Sequence, residues 1–129
     1  MDLSLNVLIV EDDNAMAQMC AKLIRRRGHS AVIAGSCHEA LRILAARGDV
    51  DAVISDVQMP QMSGIELLAQ LREINVQIPV ILMTGYTNIV SADEAVTLGA
   101  ADYLSKPFDA ETLIGSLERS FLKRIPEHA

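Results

Sequence analysis

The sequence predicts a doubly wound α/β domain, with five parallel strands in one sheet and helices on both faces. Short β-branched apolar runs recur at a regular interval, and between each pair the apolar spacing changes to that of a helix. Half of the residues are hydrophobic but only 3% are aromatic, so the core must be aliphatic, as in a buried parallel sheet. At 129 residues, folding buries roughly two-thirds of the unfolded surface, enough for one core and not for two.

The first strand is expected at 7–10 and runs into Glu11, Asp12 and Asp13. Met16, Met19, Cys20, Leu23 and Ile24 then share one face of a helix that Gly28 can end. After a second strand at 31–34, Ser36 and Glu39 stand at capping-box spacing and open a helix carrying Leu41 and Leu44, with Gly48 closing it. The third strand, 52–55, leads into Asp56. Ser63 and Glu66 form another capping box for a helix that buries Ile65, Leu68 and Leu71. The fourth strand, 79–83, precedes Thr84, and its helix runs from about Asn88 to Leu98 before Gly99. The fifth strand, 102–104, is followed by Lys106 and Pro107, and the last helix follows Asp109 with Leu113, Ile114, Leu117 and Phe121 inward. Right-handed crossovers make the sheet parallel, and the flavodoxin-like order 2-1-3-4-5 is the simplest for five strands.

Seventeen acidic residues against eleven basic give a net charge of -6, which repels phosphate backbones and anionic lipid headgroups. Direct nucleic-acid binding and membrane binding are therefore not expected. Arg25, Arg26 and Arg27 end the first helix, where positive charge complements the helix dipole. Cys20 and Cys37 form no CxxC pair and have no histidine at metal-ligand spacing, so Cys20 reads as a small core residue. His29, His38 and His128 are scattered and read as surface residues. No apolar stretch reaches the length of a membrane span, and residues 1–6 lack a leader pattern, so a cytoplasmic location is expected.

In a doubly wound sheet, ligands bind beyond the carboxyl ends of the strands, near the switch in strand order. Glu11, Asp12, Asp56, Thr84 and Lys106 all fall on that rim, while Asp13 reads as a helix cap. Carboxylates a few ångströms apart repel by several kcal/mol at the dielectric of a protein surface. A hard divalent cation such as Mg2+ relieves that repulsion through oxygen ligands. With Glu11, Asp12 and Asp56 ionised, Mg2+ and Lys106 bring the formal charge of the cleft to zero. Any one of these residues alone has an ordinary structural explanation; the ordered set on one rim does not.

That set resembles the receiver domains of two-component response regulators, from about Val7 to about Leu122. The residues that carry the resemblance are Val10-Glu11-Asp12, Ser55-Asp56 with Met59-Pro60 and Gly64, Thr84-Gly85, and Tyr103 followed by Lys106-Pro107-Phe108. It implies that Asp56 accepts a phosphoryl group from a histidine kinase or a histidine phosphotransfer protein. Mg2+ would be bound directly by Asp12, through water by Glu11, and by Asp56 and the backbone carbonyl of Gln58. Lys106 and Thr84 would contact phosphoryl oxygens, and Thr84 drawn inward would let Tyr103 swing. The surface of the fourth helix, fifth strand and fifth helix would then change, and the same face would serve a homodimer. Gln58 and Tyr86 would tune the lifetime of the phosphate.

On this reading residues 1–129 are one receiver domain with its core at about 5–124 and no output domain within the chain. It is a regulatory domain that catalyses its own phosphorylation and dephosphorylation, and its signal passes to a downstream protein or a covalently linked output domain. The competing enzyme reading is a haloacid-dehalogenase-like phosphohydrolase with Asp56 as nucleophile, which expects a second Asp where Gln58 stands. A flavodoxin-like cofactor carrier fits less well, because Glu11-Asp12-Asp13 occupy the turn where phosphate donors would be needed.

Overall fold

The computed structural model describes residues 3–74, 76–85 and 92–123. Strand and helix alternate from β1 (Asn6–Val10) and α1 (Asn14–Arg26) through β2 (Ser30–Ala34), α2 (Cys37–Ala46), β3 (Ala52–Asp56) and α3 (Gly64–Glu73). They continue as β4 (Val80–Thr84), α4 (Ala92–Thr97), β5 (Asp102–Ser105) and α5 (Ala110–Lys123). All strand pairs are parallel, and the sheet order is β2-β1-β3-β4-β5. The expected start of α4 near Asn88 lies outside the described residues, as do Tyr86 and His128.

The pleat sends alternate side chains into two aliphatic layers. Leu8, Val10, Val53, Val80 and Leu82 pack with Leu67, Leu68 and Leu71 of α3, Ala40 of α2 and Ala95 of α4. Val7, Ile9, Ile54, Ile81 and Met83 face the other way, onto Cys20 and Ile24 of α1 and Leu113, Ile114 and Leu117 of α5. Every residue of β3 and β4 is buried, as expected of central strands covered on both sides.

Several local expectations are corrected by the packing. Met19 is 40% exposed, and the buried stripe of α1 is Ala17, Cys20, Ala21 and Ile24. In α3 Ile65 is only half-buried, and Leu67 joins Leu68 and Leu71 in the core. The Ser63–Glu66 capping box is complete. At α2, however, Ser36 accepts from the Glu39 amide while the Glu39 carboxylate takes the Gly35 N–H at 2.7 Å, one residue upstream of the expected partner. Gly48 does not close α2. The chain leaves that helix at an extended Arg47, whose guanidinium makes two 3.0 Å contacts to Asp49, and needs no left-handed residue there. Gly28 and Gly99 do adopt positive φ after their helices.

His29 is also corrected, because it is buried rather than on the surface, whereas His38 is exposed as expected. The Leu5 amide ahead of β1 donates to its Nδ1 at 3.0 Å, which leaves the proton on Nε2, 2.9 Å from Glu118 Oε2. Cys20 is a core residue as expected, and both cysteine thiols are buried and in no disulfide, that of Cys37 donating to Ser63 O at 3.5 Å. Burial pushes each up to about 11. Among the described residues no helix is long and apolar enough to cross a membrane.

Candidate functional site

The carboxyl ends of β1, β3, β4 and β5 bring the rim residues together. Backbone bonding continues the sheet beyond the strands: Glu11 N donates to Ala34 O at 3.0 Å, Val57 N to Met83 O at 2.8 Å and Lys106 N to Thr84 O at 2.7 Å. Glu11 and Asp56 are thereby held in position although they are buried. Asp12 is exposed, and Asp13 caps α1 by accepting from Met16 N.

Lys106 links the cluster. Its Nζ donates to Glu11 Oε1 at 2.9 Å and to Asp56 Oδ2 at 3.0 Å. The second oxygen of each carboxylate takes a backbone N–H, Asp13 for Glu11 and Gln58 for Asp56. Burial raises the Glu11 carboxyl above its ordinary value, and the nearby Asp56 charge adds to this against the opposing bonds from Lys106 and Asp13. Burial acts to lower the Lys106 ammonium, but its bonds to both carboxylates outweigh that and push it up.

One carboxylate oxygen from each of Glu11, Asp12 and Asp56 lies within 4.8 Å of the others. Three carboxylates against one ammonium leave an excess of two negative charges, which a divalent cation would neutralise, and each oxygen keeps a lone pair for it. The donor set is all oxygen, which suits Mg2+. An open cleft of about 490 Å3 borders Asp12, lined also by Gln58, Met59 and Pro60.

Thr84 is fully buried at the end of β4. Leu82 pairs with Tyr103 and Thr84 with Ser105, so the alternation puts Thr84 and Tyr103 on the same face of the sheet. Tyr103 is half-buried against the layer formed with α2, α3 and α4. Gly64 has a role that spacing alone did not reveal. Its amide donates to Val57 O at 3.0 Å, and a Cβ there would collide with the Asp56 carbonyl oxygen and lie 2.9 Å from Ser55 Oγ. Only the contact between α3 and the end of β3 discloses this.

Over residues 7–118 the chain matches the response regulator receiver domain family. It belongs to that family. This receiver domain is 42% identical over 120 residues to response regulator protein FleR of Pseudomonas aeruginosa, covering 93% of this chain and 25% of that protein. It is 36% identical over 121 residues to response regulator protein TodT of Pseudomonas putida, covering 94% and 52%. The chain thus spans between a quarter and about half of these curated relatives. Among solved structures, a receiver domain protein from Clostridium thermocellum superposes with a TM-score of 0.86 at 29% identity, covering 93% of this chain and 96% of that one. FixJ-N superposes with a TM-score of 0.86 at 28% identity, covering 96% and 98%. As a receiver domain of two-component response regulators, the chain is a phosphorylation-activated signalling switch and not a phosphohydrolase.

Proposed function

We propose that Asp56 is the phosphoryl acceptor of this receiver domain. The observation that carries the reading is the Lys106 ammonium held between Asp56 and Glu11, beside a cluster of three carboxylates. Asp56 Oδ would attack the phosphorus of a phosphohistidine on a histidine kinase or phosphotransfer protein, forming an acyl phosphate as the N–P bond breaks. Asp12, Asp56 and the Gln58 backbone carbonyl would hold Mg2+, with Glu11 behind them through water. When bound, the ion supplies charge neutralisation to the incoming phosphoryl oxygens. Lys106 would pair with one of those oxygens and Thr84 donate to another, so the chain positions and neutralises while supplying no bond-making group beyond Asp56.

The switch is assigned to Thr84 and Tyr103, whose shared face of the sheet supports the coupling. Thr84 moving onto a phosphoryl oxygen opens space for Tyr103 and alters the surface of α4, β5 and α5, which a homodimer could also use. Gln58 and Tyr86 would tune the phosphate lifetime, Tyr86 lying outside the described residues. The protein would act in the cytoplasm as one domain over 1–129, signalling to a downstream protein or a linked output domain.

Incubation with a small phosphodonor and Mg2+ followed by intact-mass analysis tests the assignment. A base-labile adduct that lingers, and that Asp56→Asn and Asp12→Ala both abolish, is the expected result. Full phosphorylation of Asp12→Ala at ordinary Mg2+ would remove Asp12 as a direct ligand. Rapid multiple turnover would mark an enzyme instead of a switch.

A further inference from the structure

We propose that the C-terminal ends of α1 and α5 form a docking surface for an acidic polypeptide segment that also carries an apolar side chain. Residues 14–38 contain four basic residues, Lys22, Arg25, Arg26 and Arg27, and no acidic one, so all seventeen acidic residues of this chain lie elsewhere. α1 packs beside α5, whose Glu118 and Leu122 share a cavity with the C-terminal end of α1. In a chain of net charge -6 this segregation makes a local basic face.

The helix dipole favours positive charge at this end but leaves Lys22, a turn earlier, unexplained, because the effect falls off beyond the last turn. Arg25 has a structural task, its Nη2 donating to Ala31 O at 2.8 Å. Arg26 and Arg27 are exposed and, among the described residues, make no side-chain hydrogen bond or ion pair. Both line a cavity of about 890 Å3 together with Leu3, Ser4, Glu118 and Leu122. Glu118 makes its contact with His29 at 2.9 Å and no ion pair with either arginine, so its one charge offsets only part of the two guanidinium charges.

Two planar guanidinium groups present donors that match carboxylates bidentately. Leu3 and the 49% exposed Leu122 add apolar wall beside them. A long polyanion such as nucleic acid would meet the acidic remainder of the surface and be repelled. A short acidic segment stays within the basic face, so an acidic polypeptide is favoured. This end of the sheet lies opposite the carboxylate cluster, and the surface is independent of the phosphoacceptor chemistry.

The experiment is an amide NMR titration of the whole chain with a short peptide of alternating glutamate and leucine, repeated at raised salt. Shifts confined to the amides around Arg26, Arg27, Gly28 and Leu122, weakened by salt, are expected. Arg26→Glu with Arg27→Glu should weaken binding by about tenfold or more, as removal of close charge pairs does. Lys22→Glu alone should weaken it by about twofold through the field of the face. Arg42→Glu, exposed on α2, should leave it unchanged. Shifts elsewhere, or affinity within about twofold of wild type in the double variant, would overturn the proposal. So would a single-stranded oligonucleotide of equal charge that binds these residues as tightly as the peptide.

Discussion

Gly64→Ala should weaken the whole domain, because α3 begins almost in contact with the end of β3. The added methyl would strike the Asp56 carbonyl oxygen, with Ser55 Oγ at 2.9 Å and the Asp56 carbonyl carbon at 3.1 Å. Two of these atoms are backbone, which cannot rotate away, so α3 or the strand end must move. Such overpacking costs about 1–3 kcal/mol. Disturbing the Ser55 hydroxyl bond to Asp56 O adds about 1 kcal/mol. Alanine in place of glycine returns up to about 1 kcal/mol of helix propensity, less at a first helical position. The expected net loss is about 2 kcal/mol, which for a chain of this size lowers Tm by about 8 °C. Urea unfolding and calorimetry measure it, with Gly48→Ala as the control, since nothing lies within 4 Å of a Cβ at that position. A Gly64→Ala midpoint that coincides with that of the control would refute the steric argument.

Asp56→Asn should raise stability in the absence of divalent ions, because it removes one of three clustered carboxylates, and should reduce the thermal stabilisation by added Mg2+; calorimetry with and without the ion checks both. His29→Leu leaves the Leu5 amide and the Glu118 carboxylate without their partner and should cost about 1–3 kcal/mol in urea unfolding. At the start of α5, the Thr112 backbone N–H holds the Asp109 carboxyl below its ordinary value of 3.8. A depressed folded value means that the contribution is present above 3.8 and is lost as pH falls through the folded value. The protection factors of the first-turn amides of α5, corrected for the intrinsic pH dependence of exchange, should therefore fall in acid in the wild type and show no such fall in Asp109→Asn.

The strand pattern was readable because parallel strands buried on both faces leave uninterrupted apolar runs, and all five fell within a residue or two of their expected ends. Helix faces were harder to read. Met19 sits at a spacing indistinguishable from that of a buried residue, yet α1 lies so close to the sheet that Ala17 and Ala21 fill the contact instead. His29 carries no local mark of burial, because its partners, Leu5 and Glu118, stand 24 and 89 residues away. Gly48 looked like a helix stop only because the Arg47–Asp49 pair, which shapes that turn, leaves no periodic signal. The rim residues were legible because topology alone places strand ends side by side. What topology could not supply was that both Glu11 and Asp56 are buried and share one ammonium.

That shared ammonium bears on the order in which the protein comes into being. Lys106 is separated by 95 residues from Glu11 and by 50 from Asp56. A nascent chain emerges from its N-terminus, so both acids are made long before their counter-charge. Until β5 joins β4, the two carboxylates have no ammonium between them, and their repulsion opposes closure of the rim. Addition of the last strand relieves it. The ion-paired cluster is in this sense completed last, and a chain truncated before Lys106 would lack its ammonium even if the first four strands paired.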